Sequence, residues 1–265
     1  MVRNKRAQVL VGKHLNKNAQ VTVFIILALA IVAILILLFV GRDRISSIVT
    51  GKTPIEQIRE CVDEPLKMAL DILTVQGGNL APENYYLYQG NKIEYLCYTD
   101  ANYKNCVMQK PLLKQSIEKE IKKYSELKIN NCINSVIDEL RSDGYEVSMT
   151  PPEISFSLVP NNIMININTD LQIKKEITEP YKSIKTDVSS KLYDMVMVTS
   201  SISNWEARYG DSETMTYMMY YPSLKVEKKK QGDGTTVYIL TDRDSDDEFM
   251  FASRSLVIPA GLTGQ

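Results

Sequence analysis

The histidine and cysteines of this 265-residue chain, one and four in number, exclude more chemistry by their placement than they permit. The single histidine, His14, precedes a long apolar stretch. The chain beyond that stretch therefore holds no Ser-His-Asp or Cys-His site and no His-ligated zinc. No G-x-S-x-G, HExxH, Walker A or G-x-G-x-x-G motif occurs. Ser–Lys hydrolysis stays formally open, and so does a glycosidase-type carboxylate pair, which is assembled in space and leaves no spacing signature. No catalytic residue and no cofactor is assigned. Four cysteines, Cys61, Cys97, Cys106 and Cys132, permit two disulfides in three connectivities. None of them sit at C-x₂₋₄-C spacing, which disfavours zinc. Cys97 and Cys106 flank the polar segment YTDANYKN, a loop easily closed by a local bridge, and that pairing leaves Cys61 to meet Cys132. Buried free thiols are the alternative. Asp242, Asp244 and Asp246 open like an EF-hand loop, a weak calcium candidate. Asp247 stands where that loop needs Gly, and Ser253 where it needs a ligating Glu. A solvated acidic turn between two strands is the default reading.

The stretch that must position everything else is Val21–Val40, VTVFIILALAIVAILILLFV, without a charged residue. At about 1.5 Å per residue a helix of this length spans roughly 30 Å, the hydrocarbon thickness of a bilayer. A removed secretory segment is the alternative, but its apolar run is ordinarily only about 7–15 residues. Arg3, Lys5, Arg6, Lys13 and Lys17 precede the stretch with no acidic residue among them. The positive-inside rule then keeps the N-terminus cytoplasmic and places the rest outside the cell membrane. All four cysteines fall on that outer, oxidising side. The whole chain nets −1, and the five basic leader residues leave the remainder at about −6. This acidic balance disfavours nucleic acid as a partner.

Thr53-Pro54-Ile55-Glu56 reads as a capping box with Pro at the first helical position. Ile58, Val62, Leu66, Leu70 and Leu73 extend an apolar stripe, Pro65 is expected to kink or split it, and Gly77-Gly78 to end it. Tyr85–Tyr88 and Ile93–Leu96 suggest a hairpin whose tyrosines offer a sugar or peptide platform, with ordinary aromatic packing as the plainer reading. Residues 111–142 read as one long helix or two abutting ones, in phase through Leu113, Ile117, Ile121, Tyr124, Cys132, Val136 and Leu140. From Tyr145 the period becomes two through Val147, Ile154, Phe156, Ile163 and Ile173, an antiparallel meander with one buried face. A helix is expected after Pro180, with Ile184, Val188, Leu192, Met195, Ile202, Trp205 and Tyr209 on one stripe. Thr216–Pro222, TYMMYYP, has no assignable structure; if exposed, it suggests a subunit of a larger membrane complex. Strands are expected at Leu224–Val226, Thr235–Leu240 and Phe249–Phe251.

Ala19, then Gln20-Val21-Thr22-Val23-Phe24-Ile25, resembles an archaeal class III signal of the type IV pilin kind, which implies cleavage between Ala19 and Gln20. Pilins carry Glu at the fifth mature position, where this chain has Phe24. The alternative is an ordinary uncleaved anchor. A second resemblance lies in the order of the elements. The succession of anchor, Cys-bearing helix ending near Gln76-Gly77-Gly78, second Cys-bearing helix, sheet and further helix is similar to uncharacterised archaeal single-pass surface proteins. That family implies no activity.

The expected architecture is α+β: an N-terminal transmembrane helix, then an extracytoplasmic domain of antiparallel β-sheet packed with long amphipathic helices. Its divisions are a basic leader 1–19, a transmembrane helix 20–44, a linker 45–52 and the domain 53–265. The expected partners are the bilayer, through Val21–Val40, and proteins at the cell surface. The expected function is a structural or interaction component of the envelope, without enzymatic activity. A membrane-tethered hydrolase or ligand-binding domain is the rival.

Overall fold

The computed structural model describes residues 27–29, 31–32, 52–175, 177–245 and 247–258. The leader, the Ala19–Gln20 position, most of Val21–Val40, nearly all of the linker and Asp246 lie outside the described residues. The chain divides into two units, Met1–Lys52 and Thr53–Gln265. In the first, Leu27, Ala28, Leu29, Ile31 and Val32 are helical and exposed. Among the described residues no helix is long and apolar enough to cross a membrane.

The second unit is α+β. Helix α1 (Pro54–Glu60) starts on the expected capping box: Thr53 Oγ1 accepts from Glu56 N, and the Glu56 carboxylate accepts from Thr53 N. The chain breaks at Cys61-Val62 and resumes as α2 (Asp63–Leu73). The break puts Pro65 in the first turn of α2, where its missing N–H costs no intrahelical bond. A 3-10 turn (Thr74–Gln76) leads into Gly77-Gly78.

Helix α3 (Leu113–Ser142) is a single helix of 30 residues, about 45 Å long. It buries Leu113, Ile117, Ile121, Ser125, Ile129, Ile133 and Ile137. A strict four-residue step turns about 40° further round the helix each time. The buried line therefore winds, facing α1 and α2 as well as the sheet. This corrects the expected phase: Tyr124 and Val136 are only half-buried, and Ile129, Ile133 and Ile137 carry the second half. Ser125 Oγ donates to Pro65 O at 3.2 Å, satisfying a polar atom where two helices meet.

The first sheet is the expected meander. Strands β4 (Glu146–Met149) and β5 (Glu153–Val159) are one run broken at Pro151-Pro152. Both pair with β6 (Asn162–Lys174), whose other edge takes β7 (Thr178–Ser189). Residues alternate strictly along β6, with Ile163, Ile165, Ile167, Leu171 and Ile173 buried. β7 corrects the expectation of a helix after Pro180. The four-residue gap from Ile184 to Val188 mimics a helix, but Thr178, Tyr181, Ile184, Thr186 and Val188 suit a strand. Pro180 is tolerated because β7 is an edge.

The second sheet runs β1 (Tyr85–Tyr88), β2 (Asn91–Tyr98), β10 (Glu248–Arg254), β9 (Thr235–Asp242), β8 (Leu224–Lys230), with β3 (Val107–Met108) also on β2. The β2–β10 pair is parallel, a departure from the purely antiparallel expectation. The central strands β2, β9 and β10 are buried on both faces. Leu96, Leu240, Phe249 and the stacked pair Tyr238–Phe251 join the main core. Ile93, Tyr95, Val237, Ile239, Met250 and Ala252 form a second cluster under Tyr86, Tyr88 and Tyr98. Tyr95 Oη and Thr235 Oγ1 lie 2.7 Å apart within it. The hairpin tyrosines thus mostly pack inward instead of forming an exposed platform.

Two disulfides join these parts. Cys61, at the α1–α2 break, bonds to Cys132 on α3. Cys97 on β2 bonds to Cys106, closing the loop before β3.

Candidate functional site

Helix α4 (Leu192–Tyr209) has two faces of different chemistry. Leu192, Met195, Val196, Thr199, Ile202 and Ser203 are buried. The outer side steps by four through Ser201, Trp205 and Tyr209. Trp205 and Tyr209 are 46 % and 59 % exposed, with ring centroids 4.5 Å apart. Their assignment to the inner stripe is therefore corrected. Glu206 takes that inner position, only 2 % exposed.

Glu206 locks the end of α4 to the second sheet. Ser212 N donates to its Oε1 at 3.0 Å and Ser253 Oγ to its Oε2 at 3.2 Å, while Tyr238 Oη also donates to Oε1. Burial pushes the Glu206 carboxyl above its ordinary range, against the hydrogen bonds from Tyr238 and Ser212 and the Lys228 charge. Burial, then the neighbouring Glu206 charge, raises the Tyr238 phenol. The orphan carbonyls at this helix end are also satisfied. Gly210 N and Ser255 Oγ donate to Glu206 O at 2.9 and 3.0 Å, and Asn105 Nδ2, from the disulfide-closed loop, donates to Arg208 O at 2.7 Å. Lys228 Nζ fixes the following turn through Ser212 O at 2.8 Å and the Asp211 carboxylate.

This turn delivers α5 (Met215–Tyr220) alongside the outer face of α4. TYMMYYP thus lies largely in this short helix, where Met215, Met219 and Tyr220 are exposed, as is Tyr221 just after it. Ser201 Oγ and Tyr217 Oη lie 2.9 Å apart, tying the two helices. Glu213 Oε1 accepts from Met215 N at 3.0 Å, which orients that carboxylate at the start of α5. Between the helices lies an open cleft of about 500 Å³, lined by Ser201, Trp205, Glu213, Thr216, Tyr217, Tyr220 and Tyr221. Four aromatic rings, one carboxylate and no Lys or Arg line it among the described residues. Concave, largely apolar walls with a few polar groups are what small-ligand sites look like. The density of TYMMYYP and the lone tryptophan were the available signals. Nothing in the sequence placed them side by side.

A second groove, about 420 Å³, runs between α2, the start of α4 and the β9–β10 turn. Asp63, Asp71, Asp247 and Glu248 border it, over an apolar floor that includes Leu66 and Leu70.

The four cysteines are bonded as Cys61–Cys132 and Cys97–Cys106, with none free among the described residues. Asp242 is 3 % exposed, and its Oδ1 accepts from Asp244 N, Ser245 N and Ser245 Oγ, so this carboxylate folds its own turn. No group of three or more His, Cys, Asp or Glu able to hold a metal occurs among the described residues. No protein-family model, curated protein or solved structure matches this chain.

Proposed function

We propose that this chain is a membrane-anchored cell-surface protein whose α+β domain binds a partner or ligand through the α4–α5 cleft. Val21–Val40 would be the anchor, with the leader cytoplasmic and the domain outside, and the segment from Ala19 resembles a pilin-type processing site. The observation that carries the binding reading is the exposure of Trp205, Tyr220 and Tyr221 around a concave site, with exposed Tyr209 packed on Trp205. Exposed aromatic surface of this kind ordinarily marks an interaction site. Two closed disulfides support an oxidising compartment for the domain.

Protease added to intact cells should digest the domain, and sequencing the mature protein should find Gln20 at its start. Protection in intact cells with digestion in lysates would overturn the outward orientation; Met1 at the start would leave an ordinary anchor.

A second reading, a membrane-tethered hydrolase, is favoured by the four carboxylates bordering the α2–α4 groove. It expects full-length protein to release reducing sugar from envelope polysaccharide, with loss of release in Asp71→Asn and Glu248→Gln. No release by the unaltered protein would remove it.

A further inference from the structure

We infer that the α4–α5 cleft takes a small quaternary ammonium compound. The inference rests on the reading of this cleft as a binding site and names the chemistry of its ligand. The ring faces of Trp205, Tyr217, Tyr220 and Tyr221 carry the negative side of an aromatic quadrupole, which attracts a cation lying over them. Glu213 adds a formal negative charge to the same wall, and no basic side chain among the described residues lines the cleft to oppose it. Elsewhere the surface provides aromatic–cation partners internally, as Lys92 does over Tyr85 at 4.7 Å and Lys128 over Tyr124 at 3.4 Å. Trp205 has instead only Tyr209 as its ring partner, and no lysine lies over any ring of the cleft among the described residues.

A sugar needs an array of donors and acceptors beside the ring that stacks on it. Here the Ser201 and Tyr217 hydroxyls are bonded to each other, and one Glu213 oxygen is taken by Met215 N. Thr216, Tyr220, Tyr221 and Trp205 bring further polar groups to the wall, so the class is set by charge: one carboxylate and no basic side chain among the described residues. A quaternary ammonium has no N–H to satisfy and spreads its charge over methyl groups that pack against such rings. The volume of about 500 Å³ lies within the range of small-molecule sites.

Trp205 is the one tryptophan in the chain, so its fluorescence reports on this cleft alone. Full-length protein in a polyoxyethylene-ether detergent is titrated with choline, with its neutral isostere 3,3-dimethyl-1-butanol, and with cellobiose. Saturable quenching by choline, absent or at least about tenfold weaker with the isostere, is the expected result. Glu213→Gln and Tyr220→Ala, both at exposed positions, should each weaken choline binding about three- to tenfold with an unchanged thermal midpoint. Three outcomes overturn the inference: equal binding of the isostere, no saturable change up to ~10 mM choline, or saturation by cellobiose and not by choline. The titration does not depend on membrane orientation, so its failure is distinguishable from failure of the protease test.

Discussion

The two sheets of this domain are built on opposite principles. The β4–β7 sheet is assembled from sequence neighbours, alternates strictly along β5 and β6, and keeps one face wet. The β1–β2–β10–β9–β8 sheet is buried on both faces at its central strands β2, β10 and β9, and turns on a parallel pair whose strands come from distant parts of the domain. The first is stabilised by local register and by burial of one row of residues. The second needs distant parts of the chain to be held, and it is where the domain concentrates its buried carboxylates. Glu94, 6 % exposed, bonds to Asn79 and lies 3.4 Å from Lys110; Glu206 bonds to Tyr238, Ser212 and Ser253. The candidate cleft sits at the end of α4 that this second network fixes.

The largest expected effect contrasts the two cross-links. The residues of Cys61–Cys132 are 71 apart and those of Cys97–Cys106 are 9 apart. Loop-closure entropy gives about 4 kcal/mol for the first and about 2.5 kcal/mol for the second. Denaturant unfolding of the paired Cys→Ser variants should rank them in that order. The reverse ranking would show that the short loop holds the second sheet by more than chain entropy, through its contacts with the C-terminal segment.

Gly210→Ala tests the junction between α4 and the second sheet. Gly210 has φ +81°, and an added Cβ would lie 2.5 Å from Leu256 Cβ. Gly144, before the first sheet, has φ +85° and nothing within 4 Å. Gly144→Ala should cost only the backbone strain, about 1 kcal/mol. Gly210→Ala should cost about 2–3 kcal/mol, because the clash adds to the strain. Equal losses in thermal midpoint would mean that the C-terminal segment yields freely.

A pH series sharpens the comparison further. Glu206 is raised in the folded state, so its stabilising contribution is full below its ordinary value of about 4.5 and is lost as pH rises toward the raised folded value. Stability should therefore decline on this account above about pH 4.5. Glu206→Gln, which matches the neutral acid in shape, should flatten the decline, leaving the share owed to Glu94, whose carboxyl burial also raises. An unchanged slope in thermal midpoint would show that Glu206 is ionised throughout. The smallest effect belongs to the cap: Thr53→Ala should cost about 1 kcal/mol.

The contrast between the sheets also explains what could be read in the sequence. Val147, Ile154, Phe156 and Ile163–Ile173 announce the meander because each inward residue is followed by an outward one. β7 is hidden because Ile184 is its only buried residue, leaving no alternation to count. The β2–β10 pairing leaves no trace either, since strands buried on both faces read as plain apolar runs without direction or partner. Cys61 with Cys132 was reachable by elimination once the short Cys97–Cys106 loop was closed. The cleft was not, because Trp205 and Tyr209 look like core residues and Glu206 looks like a surface one. Ile202 followed four residues later by Glu206 was the one hint that the phase ran the other way.

The parallel β2–β10 pair also sets an order of assembly. As the chain emerges from its N-terminal end, the β4–β7 meander can form as soon as its own residues are available. β2 must wait for almost the whole of the domain before β10 exists to lie beside it, a long-range closure that slows folding. Until then one edge of β2 stays open to strangers, and Ser253, which anchors Glu206, has not yet arrived. A chain stopped short of residue 248 would thus lose the cleft without losing any residue that lines it.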